Sequence, residues 1–224
     1  MSTTLPITDR TRVRRRAERA GYERAEVHEI LDAGLVCHLG FLGGHGPVVL
    51  PTAYVRVGDA VIVHGSSRSG MLGALADGCE LCCTVTLLDG LVLARSAFHH
   101  SVNYRSVVIF GRAEVVQAPH DKHEALRAFF TRLYPGRWEV VRPPTDAELK
   151  ATLIVRIPIE EAVAKRRLGA PVDDEDDYAL PVWAGVFPLT ITRGDAVADE
   201  RLHPDVAAGE HPPAWCPGTI PAAR

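Results

Sequence analysis

The sequence predicts a mainly β fold with peripheral helices, built as a small antiparallel barrel of six to seven strands. Three observations lead there. Apolar runs of strand length recur from Gly34 to Ile157, separated by glycine-bearing turns. Only one long helical repeat interrupts them, whereas a doubly wound parallel sheet alternates strands with long helices. A series of antiparallel strands leaves edges unless it closes, so a closed barrel is expected.

The elements follow in order. Arg10, Arg12, Arg14, Arg15 and Arg16 open the chain, offset by Glu18, Glu23, Glu26 and Glu29. This reads as a solvated helical face, or as a contact with an anionic ligand or a partner subunit. A helix is expected from about Glu23 to Asp32, with Val27, Ile30 and Leu31 as its apolar stripe and Gly34 as its stop. Strands are expected over Gly34–Leu42, Val48–Arg56 and Ala60–His64, then a loop over Gly65–Gly70 and a short helix over Met71–Ala76. Leu81–Leu88 and Leu91–Ala97 read as strands joined in a hairpin at Asp89-Gly90. Tyr104–Gln117 is a long strand bent at Gly111. Pro119 opens the long helix, and Leu126, Phe129, Phe130 and Leu133 repeat along it at helical spacing. A further helical turn at Thr145–Lys150 and a last strand at Thr152–Ile157 follow. Beyond lie an acidic run, Asp173–Asp177, and a tail rich in Pro, Ala and Gly. The expected organisation is one domain over residues 1–190 and a tail over 191–224.

Composition narrows the function. Lys and Arg number 25 against 28 Asp and Glu, a net charge of −3 at pH 7, which argues against a dedicated nucleic-acid binder. Ala33–Val55 carries no charged residue, but Gly43–Pro47 breaks it, so two buried strands joined by a turn are expected rather than a membrane span. Met1–Arg16 has no apolar core of the kind a secretory signal carries, so a soluble cytoplasmic protein is expected. Cys37, Cys79, Cys82, Cys83 and Cys216 make an odd set, read as reduced thiols, mostly buried in strands.

Several catalytic motifs fail. Neither G-x-S-x-G nor G-x-G-x-x-G occurs, and His28-Glu29 and His123-Glu124 lack the second His of H-E-x-x-H. His99 and His100 are adjacent and would point to opposite faces of a strand, so no metal site is expected. Two clusters carry more. His64-Gly65-Ser66-Ser67-Arg68-Ser69-Gly70 lies between a strand and a helix and offers hydroxyls, a guanidinium and an imidazole. That is an array a phosphate monoester needs, or an ordinary polar turn with a serine cap. Asn103-Tyr104-Arg105-Ser106 opens a strand and suits a planar, hydrogen-bonding heterocycle, or a polar strand entry.

With these stretches, others appear in order: Arg19–Tyr22, Ile30-Leu31-Asp32, Cys37–Phe41, Val49–Tyr54, Phe110–Ala113, Lys165-Arg166-Arg167 and Trp183-Ala184-Gly185. Over about residues 10 to 190 the chain resembles the pyridoxamine 5'-phosphate oxidase-like split-barrel flavoproteins. The branch it resembles is the flavin-nucleotide-binding one that includes nitroimidazole-resistance (Nim-type) proteins. The resemblance implies a six- to seven-stranded antiparallel split β-barrel and a homodimer with FMN at the subunit interface. It sets Leu50, Pro51 and Thr52 along the isoalloxazine edge. It sets His64, Ser66, Ser67, Arg68 and Ser69 around the ribityl phosphate. Asn103, Tyr104, Arg105 and Ser106 would approach the flavin, partly from the second subunit, with Lys165 and Trp183 at the rim. The implied activity is electron transfer from a nicotinamide donor to a nitro compound or quinone, with the cofactor carrying the redox step. The alternatives are a flavin-binding module without turnover, and relatives on this fold that bind the deazaflavin F420 or heme, with His64, His99 or His100 as an axial ligand. One departure is visible. The Arg-x-His pair that holds substrate in the family's vitamin-B6 oxidases has a counterpart in Arg201-Leu202-His203, which lies too far after Trp183.

Overall fold

Alternation and turn chemistry dictate most of the elements found. The structure, a computed structural model, describes residues 2–206. A 3-10 turn, Ala17–Arg19, leads into β1 (Ala20–Gly21) and α1 (Arg24–Ala33). Then come β2 (Val36–Gly43), β3 (Gly46–Ala53), β4 (Val55–Val57), β5 (Ala60–Ser66) and α2 (Gly70–Ala76). The long strands β6 (Glu80–Leu93) and β7 (Ser101–Arg112) follow, then β8 (Glu114–Val115) and α3 (Pro119–Leu133). The chain continues through α4 (Asp146–Ala151), β9 (Thr152–Pro158), β10 (Glu161–Arg167) and β11 (Gly185–Pro188).

The strands form two sheets, and every pairing is antiparallel. A seven-stranded sheet has the order β1-β10-β7-β6-β2-β3 with β11 beside β6, and a four-stranded sheet has the order β4-β5-β9-β8. Leu39, Cys83, Val85, Val107 and Ile109 of the large sheet meet Val61, Val63, Val155 and Ile157 of the small one in the central core. Val27, Ile30 and Leu31 of α1 and Leu72 and Leu75 of α2 complete that core. The other face of the small sheet packs Ile62 and Ile154 under Leu126 and Phe129 of α3.

The architecture is the split barrel expected, but the sheets do not close on each other. The chain crosses between them four times instead, at direct corners between β3 and β4, β7 and β8, and β9 and β10, and through α2 between β5 and β6. Tyr54 makes the first corner: its amide bonds Leu35 O at 3.2 Å and its hydroxyl donates to Leu31 O at 2.6 Å, in full burial.

Other expectations change. Asp89-Gly90 is not a hairpin, because β6 runs through it with a register shift between Leu88 and Gly90. Gly90 is there for close approach: a Cβ on it would lie 2.9 Å from Val186 Cγ1 and 3.0 Å from Phe187 O of β11. β10 and β11 were not anticipated; β10 alternates through small residues, Ala162 and Ala164, that give little hydrophobic signal. The arginine-rich start holds no helix beyond the 3-10 turn. The uncharged Ala33–Val55 stretch is indeed a hairpin, but β3 is an exposed edge strand rather than a buried one. Cys37 and Cys83 are buried, Cys79 and Cys82 half-buried, all four free, and Cys216 lies outside the described residues. Among the described residues no helix is long and apolar enough to cross a membrane.

Candidate functional site

Register decides where each predicted residue points, since neighbours along a strand face opposite ways. On β3, Leu50 and Thr52 stand opposite Leu39 and Cys37 and share their face, while Pro51 stands opposite His38 on the outer face. On β7, Val107 and Ile109 point into the core, which turns Tyr104 and Ser106 outward with Lys165, the partner of Ser106 on β10. Pro51 and Tyr104 thus share the outer face but stand three strands apart, roughly 14 Å.

Asn103 and Arg105 are engaged within the protein. Arg105 makes a two-pronged bond to Asp89, Nε to Oδ2 at 3.0 Å and Nη2 to Oδ1 at 2.8 Å, across the bulge in β6. Asn103 is buried, donates from Nδ2 to Gly169 O at 3.1 Å and accepts from Arg167. The Ser106 hydroxyl donates to Lys165 O at 3.2 Å. Trp183 is exposed, its ring 5.2 Å from that of Phe187 on β11.

The hydroxyl-rich turn lies on the other sheet. Ser69 Oγ caps α2 by accepting from Leu72 N at 3.3 Å, and Ser66 Oγ accepts from Arg68 N at 3.2 Å. Ser67 N is bonded to Ala151 O at 2.8 Å, which ties the turn to the end of α4. The Arg68 guanidinium is exposed, with no acidic partner among the described residues. His64 is half-buried, its ring 4.3 Å from that of Phe129 and edge-on to it. Its Nδ1 is buried with no hydrogen-bond partner, and burial pushes its pKa down.

These groups form no single pocket within one chain. α2 leads to Gly78, whose carbonyl accepts from Arg112 at the last residue of β7. Tyr104 and Lys165 lie toward the first residues of β7. The end of the large sheet near Ser101 instead carries a cleft of about 670 Å³ that the sequence did not reveal as such. Arg15, Arg16, Arg19, Lys165, Arg167, His99 and His100 line it, with Glu18 as its one acid. Lys165 was expected at the rim. The arginines appeared in the sequence as a charge run, and nothing there placed that run against β10. His99 and His100 were expected on opposite faces of a strand; both border this cleft, because a 3-10 turn, Ala97–His99, stands there in place of a strand. A cavity of about 960 Å³ between α3 and the small sheet holds none of the predicted residues, and its Arg156 is paired with Glu114 at 2.7 Å.

The profile of the family described as "Pyridoxamine 5'-phosphate oxidase" matches residues 23–166. The chain belongs to this family. Among solved structures of this fold, the flavocytochrome Anf3 from Azotobacter vinelandii is 44% identical, with a TM-score of 0.86 over 91% of this chain and 94% of that one. The FAD and heme binding protein from Mycobacterium smegmatis is 38% identical, with a TM-score of 0.80 over 87% of this chain and 94% of that one. A putative 5-nitroimidazole antibiotic resistance protein from Bacteroides thetaiotaomicron, 18% identical, shares the fold at a TM-score of 0.55 over 66% of this chain and 86% of that one. No curated protein matches the chain.

Proposed function

We propose that this member of the pyridoxamine 5'-phosphate oxidase family is a flavin-binding redox protein that works as a homodimer, passing electrons from a nicotinamide donor to a small acceptor such as a quinone or nitro compound. The observation that carries this reading is the cationic cleft beside Tyr104. An aromatic and apolar strand face runs into a pocket of basic side chains. A flavin nucleotide needs that combination, a flat wall for its ring and positive charge for its phosphate. The names of the two relatives at 44% and 38% identity, a flavocytochrome and an FAD and heme binding protein, point the same way. When bound, the flavin supplies hydride acceptance and electron exchange. The chain's part is to hold the phosphate with Arg and Lys, to offer Tyr104 and Ser106 beside the ring, and to exclude water with a second subunit.

The second subunit would also bring together what one chain keeps apart. Val36, Leu42, Val49, Leu88, Leu91 and Val102 are all exposed. By register they share the outer face of the large sheet, and the buried residues of α1, α2 and α3 all pack elsewhere. In a twofold dimer over this face, Pro51 and the Ser66–Ser69 turn of one protomer would approach the cleft of the other.

A heme is the second component, favoured by His64. Burial of its ring holds its pKa down, which keeps the imidazole neutral, the form that ligates iron. Arg68, exposed and unpaired in the adjoining turn, suits a propionate. The test is the visible spectrum of the purified protein, followed by identification of the extracted cofactor and by NADH and NADPH oxidation with a quinone. Two flavin bands, with or without an intense Soret band, support the reading. A protein that stays colourless after addition of flavin and heme refutes it.

A further inference from the structure

We infer that residues 171–184 form a strap beside the basic cleft that opens as a unit, and that one buried carboxylate, Asp173, latches it shut and so sets how fast ligands enter and leave. What passes the strap rests on the flavin reading above, whereas the latch rests on the geometry alone.

The strap joins two fixed points. Before it, Asn103 Nδ2 donates to Gly169 O at 3.1 Å and Arg167 Nη2 to Ala170 O at 3.3 Å, which ties its root to β7 and β10. After it, Gly185 opens β11 and pairs with Leu93 of β6. Between these points the chain forms one 3-10 turn, Glu175–Ala179. The backbone bonds there run within the strap: Asp177 N to Asp174 O at 3.0 Å, Leu180 N to Asp177 O at 3.0 Å and Val182 N to Leu180 O at 2.8 Å. Apolar packing does not hold it either. Val172, Tyr178, Leu180, Val182 and Trp183 are all exposed, and Asp173 is the one residue of 171–184 that is buried. Lifting such a segment uncovers little apolar surface, so the bonds of its one buried group decide how often it opens.

Those bonds converge just past the end of β6. Asp173 Oδ1 accepts from Arg95 N at 2.8 Å and Oδ2 from Arg95 Nη1 at 3.0 Å. Tyr178 folds back over the pair, its ring 4.8 Å from the Arg95 guanidinium and its hydroxyl accepting from Asp173 N at 3.5 Å. Burial opposes ionisation of Asp173, yet the bonds from Arg95 and from the Ser96 backbone outweigh it and hold its pKa below the ordinary value. Removing one partner of a buried pair strands the other, so the latch is sensitive to single substitutions. A second ion pair, His99 to Asp174 at 3.3 Å, leaves Asp174 exposed and adds little.

The strap's position gives the latch a consequence. Val172, next to Asp173, lines the cleft of about 670 Å³ and also a neighbouring hollow of about 300 Å³ bordered by Leu168 and Ala170. Arg19 and Arg167 border both. With the strap shut Val172 stands between the two spaces, and with it lifted they run together beside the same cations.

The experiment compares the unaltered full chain with Asp173→Asn and Arg95→Met, by amide hydrogen exchange and by stopped-flow binding of FMN. Exchange over residues 171–182 is expected to quicken at least about tenfold in both variants, with α1 and α3 within about twofold of the unaltered chain. FMN association and release should both quicken about fivefold while Kd stays within about twofold, since a gate changes both rates together. Arg95→Met removes the other half of the latch, which guards against a defect peculiar to one variant. Unchanged exchange over the strap overturns the latch, and so does exchange that quickens equally in α1 and α3. Faster release with weaker binding makes the strap a wall of the site and overturns the gate, as do unchanged FMN rates beside a loosened strap. If the unaltered chain takes up no FMN, the flavin reading fails and the gate with it, while faster exchange confined to the strap still upholds the latch.

Discussion

At the scale of single residues, Tyr54 shows how one side chain sets a corner. Its buried hydroxyl donates to Leu31 O at 2.6 Å, joining the end of α1 to the point where the chain leaves the large sheet. Tyr54→Phe keeps the ring and leaves Leu31 O with only the longer 3.4 Å bond from Gly34 N, so a loss of about 0.5–1.5 kcal/mol is expected in urea unfolding; an unchanged midpoint would refute this role. Two histidines set a pH dependence. His64 is held below its ordinary value by burial, and His28 by burial and then by Arg56, against the opposing pull of Asp59. Both therefore fold neutral, while in the unfolded chain they take up protons near about pH 6.5. Their stabilisation is complete above that pH and is lost as pH falls below it. The melting temperature should drop as pH falls below about 6.5, and the drop should be shallower in His64→Phe. Single residues were also where the sequence was least legible. Asn103 and Arg105 were legible as polar, but their partners, Arg167 and Asp89, are set by register, and the register depends on a bulge.

At the scale of elements, the sequence was most legible where a local signal and the final packing agree. α1 and α3 carry their apolar stripes at helical spacing; Val27, Ile30 and Leu31 of α1 are all buried, and of the α3 stripe Leu126 and Phe129 are buried while Phe130 and Leu133 are half-buried. Thr145 and Glu148 form a capping box at the start of α4, where a helical turn was expected. Asp89-Gly90 failed because the same dipeptide serves two purposes. A tight hairpin needs glycine for its dihedrals, whereas here glycine is needed for space beneath β11. Nothing local distinguishes the two, since β11 arrives from far along the chain. Gly90→Val should therefore detach β11 while β6 and β7 remain paired. The expected signature is faster amide exchange over Gly185–Pro188 with a destabilisation of about 1–3 kcal/mol. Unchanged exchange there would show that Val186 and Phe187 can give way.

At the scale of the molecule, one face remains to be accounted for. The uncharged stretch Ala33–Val55 reads as buried, yet in the isolated chain much of β2 and β3 is exposed. A missing charge pattern and a solvated face are reconciled if a second copy covers it, and a stable interface takes about 800 Å² per partner. Pro47 and Pro51 on the edge strand β3 lack the donors for sheet extension, so the face rather than the edge is the surface to be covered. Val49→Glu and Leu91→Glu place charge on that face, at β3 and β6 respectively. Sedimentation should show a dimer for the unaltered protein and a monomer for either variant. Val57→Glu, about as exposed as Leu91 but on the small sheet beside α3, should stay dimeric. If the site is completed across the interface, as proposed, flavin should leave with the partner in both monomeric variants, although Val49 is far from the basic cleft. A Val49→Glu monomer that keeps its flavin would confine the cofactor to one chain and separate the dimer from the chemistry.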